Sequence, residues 1–438
     1  MRSGRRRRRR EGEGRSAHRV ARRRRPTRPK RGYWAEAKSD ELRFKCEAQM
    51  AKMRFMWIWQ SADWPHFKFD AQALQPALAS ARVAQGRMLG MASGLQLVDL
   101  GELQLTEWAL EAVATAQIEG ELLQINSVRA SAARRLGLTQ SSRARPTQRE
   151  PRAEATLDVI EAAMAQWPGP LAASSLFDWH AALFPNGRSG ITRIVTGAYR
   201  THPEPMQIVT PRLGKPDTVH YEAPPSRDVP SQMQALIDWF NDDKVRSGID
   251  GIVRAAVAHL WFETIHPFED GNGRIGRALS DLALAQDMRS SQRLFSLSQQ
   301  IWLDRQGYYA QLQTGSRGPG MDVTPWVQWF AARVEQACLA TLDQMQTAAR
   351  KSAFWLELQA THPELTPSQR KVLNKLFDAQ PQGFAGGMST EKYTAITCVS
   401  RATAYRELTQ LAEAGLLERS GQGRGTRYAL VPLNSNRI

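Results

Sequence analysis

The sequence predicts a mainly α-helical chain: a helical N-terminal module, a larger helical bundle broken by one β-hairpin, and a winged helix-turn-helix at the C-terminal end. Three observations carry this expectation. Apolar residues recur at spacings of three and four over most of residues 71–348. Prolines and glycines interrupt that rhythm between Gly190 and Pro225. After about residue 350 the pattern shortens to three brief helices followed by two β-prone pieces.

Taken in order, the aromatic, turn-rich stretch from Trp57 to His66 leads into two long helical patterns, 71–92 and 105–138, which form the N-terminal module. The polar stretch from Arg143 to Arg152, with Pro146 and Pro151, reads as a linker. Further helices are expected at 154–166, 171–184, 229–242, 249–264, 273–287, 301–314 and 323–348. Between Gly190 and Pro225, Met206 to Thr210 and Thr218 to Tyr221 predict a hairpin. At the C-terminal end, Thr366-Pro367 supplies an N-cap and a proline at the first helical position. Helices at 365–379, 389–397 and 400–414 are then followed by β-prone pieces at 416–420 and 426–430 around a Gly/Arg tip, the order of a winged helix-turn-helix. The domains expected are therefore a basic segment at 1–55, a helical module at 56–142, a larger helical bundle at 150–350 and the winged unit at 360–432.

Hydrophobic residues make up 42% of the 438 and charged residues 23%, the balance of an ordinary globular chain. No apolar run approaches the roughly 20 residues that cross a bilayer, so no membrane helix is expected. The net charge of +16 suggests nucleic acid until it is located: the first thirty residues hold fourteen Arg and Lys30 against Glu11 and Glu13, leaving the rest almost neutral. Arginine runs with nothing apolar to bury predict a disordered segment, which either binds nucleic acid nonspecifically or extends the reading frame upstream of Met50, Met53 or Met56. Cys46, Cys338 and Cys398 are too far apart in sequence for a metal or disulfide framework, which fits a reducing cytoplasm.

The chemistry concentrates in His266-Pro-Phe-Glu-Asp-Gly-Asn-Gly-Arg-Ile-Gly-Arg277, a connection between two helices. Gly271 and Gly273 around Asn272 let backbone N–H groups crowd at a helix N-terminus, where orphan donors and partial positive charge suit a phosphate. Arg274 and Arg277, three apart, share one face beside the loop and offer forked donors to phosphate. Asp270 adds the hard oxygen that Mg²⁺ uses next to phosphates. His266 can take a proton from an attacking hydroxyl. No protein nucleophile belongs to the set, which favours direct transfer to a substrate hydroxyl. Singly, each residue also has a structural use, as a cap, a turn or a solvated helix face. Twelve residues that together supply base, anion cradle, cations and metal ligand point to a site.

This stretch resembles the Fic family, whose motif is His-x-Phe-x-(Asp/Glu)-Gly-Asn-Gly-Arg-x-x-Arg, and every specified position is met. The resemblance covers roughly residues 150–350, including Gly197-Ala-Tyr-Arg200 and Tyr221-Glu-Ala-Pro-Pro225, and extends to the N-terminal module. It implies a Fic-type helical bundle with a hairpin flap, and AMP transfer from ATP to a Ser, Thr or Tyr hydroxyl of a target protein with release of pyrophosphate. Carried over by motif position, His266 is the base and Asp270 holds Mg²⁺. Gly271, Asn272 and Gly273 form the anion hole, Arg274 steadies the β-phosphate and Arg277 holds the γ-phosphate, with Gly276 counted in the same nucleotide-binding set. Met206, Gln207, Ile208 and Val209 match the flap that clamps a target segment, and Tyr308 and Tyr309, after Trp302, resemble adenine-pocket residues.

Thr115-Ala-Gln-Ile-Glu-Gly120, read as lying inside the helix from 105, resembles the family's inhibitory motif (Ser/Thr)-x-x-x-Glu-(Gly/Asn). The resemblance implies that Thr115, Glu119 and Gly120 form a brake in which Glu119 occupies Arg277. Two other functions compete. One is a DNA-binding regulator with a silent or nucleotide-sensing catalytic domain, reading DNA through Thr403, Tyr405, Arg406, Arg424 and Arg427. The other is removal of AMP from a modified protein. Self-modification and a homodimer are further expectations; the target, the modified residue and the signal that relieves the brake are not legible in the sequence.

Overall fold

The computed structural model describes residues 56–138, 150–210, 216, 218–318, 320–380 and 383–431. The basic N-terminal segment with Cys46, and the polar stretch from Arg143 as far as residue 149, lie outside the described residues.

The chain order is α1 (Ala71–Ala92), α2 (Leu97–Ile118), α3 (Ile125–Arg135), α4 (Pro151–Ala165), α5 (Ala173–Leu183), the hairpins β1–β2 (Arg188–Ser189, Thr192–Arg193) and β3–β4 (Gln207–Thr210, Thr218–Glu222), α6 (Val229–Asn241) and α7 (Asp243–Gly248). Then come α8 (Gly251–Ile265), α9 (Asn272–Met288), α10 (Leu297–Leu303), α11 (Arg305–Gly315), α12 (Thr324–Thr361), α13 (Pro367–Asp378), α14 (Thr390–Thr397), α15 (Arg401–Glu413) and the hairpin β5–β6 (Leu417–Ser420, Arg427–Leu430). Helices dominate, as the periodicity requires, and each hairpin is a separate two-stranded antiparallel sheet.

Helix α8 is the axis of the bundle. It is buried on every side and mostly apolar, so it is stable only when surrounded, and α6, α9 and α12 surround it. Trp326 on α12 is fully buried and gives its indole N–H to the Ala256 carbonyl of α8 at 2.7 Å, so burial leaves no orphan donor there. Helix α1 starts at Asp70, whose carboxylate accepts the N–H groups of Gln72 and Ala73. It lies along α12, and Arg82 pins it to Asp250 and Asp287 at the ends of α8 and α9.

Three expected helices have different bounds. The helix expected over 105–138 is two helices, because the chain turns at Glu119-Gly120. Gly120 has φ +80°, its N–H bonds to the Gln117 carbonyl and the Glu121 N–H bonds to the Ala116 carbonyl, a left-handed cap that ends α2. The helix expected over 301–314 breaks at Asp304 into α10 and α11. The helix expected to stop at 348 runs on to Thr361, since no Gly or Pro falls between Trp326 and His362 to end it.

The far end of α12 therefore belongs to a second core. Phe354 and Leu358 pack with Leu373 of α13, Tyr393 of α14, Leu408 of α15 and Tyr428 of β6. Thr366 caps α13 with a reciprocal Gln369 bond, and Ser389 and Ser400 cap α14 and α15. Among the described residues no helix is long and apolar enough to cross a membrane.

Candidate active site

The connection between α8 and α9 is built by its own turn chemistry. Helix α8 ends at His266, which adopts the left-handed conformation (φ 51°, ψ 61°) that costs a residue with a Cβ of the order of 1 kcal/mol. Arg200, 1% exposed, holds it there. Its guanidinium donates to the carbonyls of His266 (2.8 Å), Ile265 (3.3 Å) and Pro224 (2.6 Å), and its N–H donates to Pro267 (2.9 Å). A cation on the last carbonyls of a helix also suits the helix dipole. The Tyr221 hydroxyl donates to the Thr264 carbonyl, tying β4 to the same helix end.

Asn272 closes the loop from the other side: its Oδ1 accepts the Phe268 N–H (2.9 Å) and its Nδ2 donates to the Phe268 carbonyl (2.8 Å). The asparagine side chain is therefore spent inside the loop, and what it leaves facing outward is main chain. Gly271, at φ +81°, forms the N-cap of α9 without a side-chain cap, so the first N–H groups of α9 have no capping partner. A Cβ on Gly271 would sit 2.8 Å from Phe184. Gly276 faces Glu263, Phe262 and His259 across the α8–α9 contact, where a Cβ would lie 2.6 Å from Glu263 Oε1; its glycine allows the two helices to approach.

Arg277 is 2% exposed and points back at the end of α2. Its Nε donates to Thr115 Oγ1 (2.7 Å), and its Nη2 donates to Glu119 Oε1 (2.6 Å) and the Thr115 carbonyl (3.2 Å). Burial alone would lower its pKa; the Glu119 carboxylate, through its charge and its hydrogen bond, more than offsets this and holds it above its ordinary value. The same Glu119 oxygen lies 2.3 Å from where a Cβ on Gly273 would be, so the carboxylate rests against the N-terminus of α9. Arg274 lies 3.5 Å from Glu121 and 3.9 Å from Asp270, over the Phe184 ring.

A cavity of about 620 Å³ opens beside these groups, within the size range of small-molecule sites. Glu119, His266, Gly273, Tyr308 and Tyr309 line it, with Ile208 of the β3 strand at its edge. Tyr308 is buried and bonds His259 Nε2 (2.9 Å), whereas Tyr309 is 44% exposed and gives its hydroxyl to the Ile118 carbonyl (3.1 Å). Burial, reinforced by Arg200, lowers the His266 pKa to about 4, so the imidazole is neutral at pH 7. Glu263, 3.9 Å from His266 Nδ1, is pushed up to about 8 by burial and holds its proton.

Two sets of residues beyond those named in the sequence complete the surroundings. Asp270 is gripped by the β1–β2 hairpin through Ser189 Oγ, and its main-chain carbonyl meets His180 Nε2 (3.1 Å). Glu111 on α2, 2% exposed, accepts from Ser296 Oγ (2.8 Å), Ser298 N (3.1 Å) and Ser298 Oγ and pairs with Arg293 (3.3 Å), which also pairs with Asp281 of α9. Glu111, Thr115 and Glu119 are spaced by four on one face of α2, so a buried anchor sits two turns behind the carboxylate at Arg277.

The flap residues form a hairpin with the register Gln207↔Glu222 and Ile208↔Tyr221, shifted by one before Val209↔Val219. Met206 precedes the strand and accepts the Ala223 N–H at 2.9 Å. Ile208 and Val209 are exposed. Among the described residues no group of three or more His, Cys, Asp or Glu gathers to hold a metal. Thr403, Tyr405 and Arg406 lie on α15 and Arg427 on β6, and none of them lines the cavity; the side chain of Arg424 lies outside the described residues.

Residues 57–138 match a domain of unknown function (DUF4172), and residues 170–284 match the Fic/DOC family. Among similar proteins, the protein adenylyltransferase fic-1 of Caenorhabditis elegans is 32% identical over 148 residues, which is 34% of this chain and 26% of the worm protein. The protein adenylyltransferase Fic of Nematostella vectensis is 28% identical over 170 residues, 38% of this chain and 37% of that protein. The chain thus spans well under half the length of these relatives. A crystal structure of a Fic family protein from Desulfovibrio desulfuricans G20 aligns over 82% of this chain and 97% of that one, with a TM-score of 0.44 and 20% identity. With the whole motif from His266 to Arg277 inside the matched segment, this chain is a Fic-domain protein whose Fic/DOC domain covers residues 170–284.

Proposed function

We propose that this chain is a protein adenylyltransferase, moving AMP from ATP to a Ser, Thr or Tyr hydroxyl of a protein, and that Glu119 restrains it. The observation that carries the reading is that one cavity joins a neutral imidazole at His266, the uncapped N-terminus of α9 at Gly273, and the Glu119 carboxylate bonded to Arg277. The names of these similar proteins support the same class of reaction.

In this mechanism the N–H groups at the start of α9 and the Arg274 and Arg277 guanidiniums hold the triphosphate, with Tyr308 and Tyr309 beside the base. His266 takes the proton from the target hydroxyl as its oxygen attacks the α-phosphorus. The bond from that phosphorus to the oxygen bridging to the β-phosphate breaks, and pyrophosphate leaves. Asp270 suits Mg²⁺, because this ion is held largely by phosphates and water and needs only one or two carboxylates. When bound, it neutralises charge on the pyrophosphate. The exposed edge of β3 at Ile208 and Val209 offers a target segment strand pairing. While Glu119 stays on Arg277, the γ-phosphate lacks its cation and the approach to Gly273 is filled.

The test is incubation of the protein and a lysate with tagged ATP, followed by mass spectrometry of the labelled proteins. AMP on hydroxyl side chains supports the reading, and no protein-bound AMP overturns it. The exposure of Tyr405 and Arg406 on α15, next to the β5–β6 hairpin, favours a second role in which the C-terminal unit is a winged helix-turn-helix that binds DNA. Gel-shift of the full chain should then weaken steeply with salt and fall when Tyr405→Ala and Arg406→Ala are combined; a shift unchanged by that pair belongs to the basic N-terminal segment and overturns the role.

A further inference from the structure

The β1–β2 hairpin is two residues wide on each side, turns through Gly190 at φ +55°, and has exposed strands at Arg188 and Thr192-Arg193. Such a small hairpin has little core of its own. Its inward contact is Ser189, whose hydroxyl donates to Asp270 Oδ2.

The rest of Asp270 is also fixed. Oδ1 accepts the Gly271 N–H at 2.6 Å. The main-chain carbonyl meets His180 Nε2 at 3.1 Å, and because the Gly197 N–H donates to His180 Nδ1 at 3.1 Å, the ring proton must sit on Nε2 and donate to residue 270. The carboxylate itself is 41% exposed and has Arg274 Nη2 3.9 Å from Oδ1. Without a hold on Oδ2 the carboxylate is tied only at Oδ1, through the Gly271 N–H, and can pivot about that oxygen beside the guanidinium. The Ser189 proton holds the opposite oxygen, and a carboxylate oxygen that accepts one hydrogen bond keeps a lone pair for a cation.

We propose that Ser189 is a positioning residue for the divalent cation: it fixes the Asp270 carboxylate so that the ion meets a ligand already oriented. The proposal rests on the reading of Asp270 as the Mg²⁺ ligand. Partners that orient a metal-ligating side chain are worth about tenfold or more in metal affinity.

The experiment measures Mn²⁺ binding by electron paramagnetic resonance, with a non-hydrolysable ATP analogue, in full-length protein carrying Glu119→Gly so that the site is open. Ser189→Ala added to this background should weaken Mn²⁺ about tenfold. Ser189→Thr, which keeps the hydroxyl, should bind as the parent does. Affinity for the analogue measured without metal should fall far less than the metal affinity; an equal fall in both would mean general loosening of the site and would overturn the proposal. Unchanged Mn²⁺ affinity in Ser189→Ala, with Asp270→Ala losing it, overturns the role of Ser189 alone. If Asp270→Ala also binds as the parent does, both the proposal and the Asp270 reading fail.

Discussion

Replacing Glu119 by glycine should raise activity while lowering stability, two effects of opposite sign from one contact. Glu119 Oε1 sits 2.6 Å from a guanidinium that is 2% exposed, and a hydrogen bond to a charged group contributes about 1.5–3 kcal/mol. At about 1.4 kcal/mol per factor of ten, removing it should raise the fraction of molecules able to place a γ-phosphate on Arg277 by roughly 10- to 100-fold. The same change strands a buried cation, which costs about 3–5 kcal/mol. The lower end applies, because Arg277 keeps Thr115 Oγ1 and the Thr115 carbonyl. Loss of helix propensity adds little, since Glu119 is the cap of α2 and not an interior residue. The assays are automodification with labelled ATP and thermal denaturation with and without ATP and Mg²⁺. The variant should label faster than wild type, melt lower when free of nucleotide, and recover most of that loss when ATP supplies an anion to Arg277. Adding Arg277→Ala should abolish the gain. Equal or slower labelling in the single variant would refute the brake and leave the assignment of the catalytic loop standing.

The pH profile of the unbraked variant should be wide. With its pKa lowered to about 4, His266 stays in its base form as pH falls through 6.5, so the acid limb of kcat/KM should lie near 4 to 5; a limb at 6.5 would show that burial does not set this group. Glu263 keeps its proton until about pH 8 while Glu119 is present; without the Glu119 charge that helps raise it, its proton leaves at lower pH, the new negative charge beside the phosphates should lower ATP affinity as pH rises, and Glu263→Gln should remove that loss. Glu111→Ala should destabilise the fold by about 3–5 kcal/mol in denaturant titrations, because Arg293 is left paired only with Asp281 in a dry interior. A change under about 1 kcal/mol would show that the anchor of α2 is not ionic.

The loop from His266 to Arg277 was legible because glycine, amide, cation and carboxylate crowd into twelve consecutive residues, each with a backbone or charge consequence of its own. Its supports were not, because they come from afar. Arg200 acts on carbonyls 65 and 66 residues downstream, and Glu111 meets Ser296 and Ser298 at separations of 185 and 187. No periodicity reports such pairs. Other differences had a local signal. Gly120 marked the end of α2 inside an otherwise continuous helical pattern, and its positive φ places Glu119 at the helix terminus, where it reaches Arg277. Gly187 and Gly190, both at positive φ, bracket β1 of the β1–β2 hairpin, whose strands are too short for alternation to show. The stretch without Gly or Pro beyond residue 350 carried the continuation of α12 into the C-terminal core.

The central claim is that AMP, and not the terminal phosphate, passes from ATP to a protein hydroxyl with His266 taking the proton. The most direct measurement compares ATP labelled at the α-phosphate with ATP labelled at the γ-phosphate, using Glu119→Gly and the same variant carrying His266→Ala. Label from the α-position should appear on protein and label from the γ-position should leave as pyrophosphate, with His266→Ala slowing transfer by about 10² to 10⁴ while nucleotide binding persists. Protein labelled from the γ-position, or α-label arriving at an undiminished rate without His266, would contradict the account.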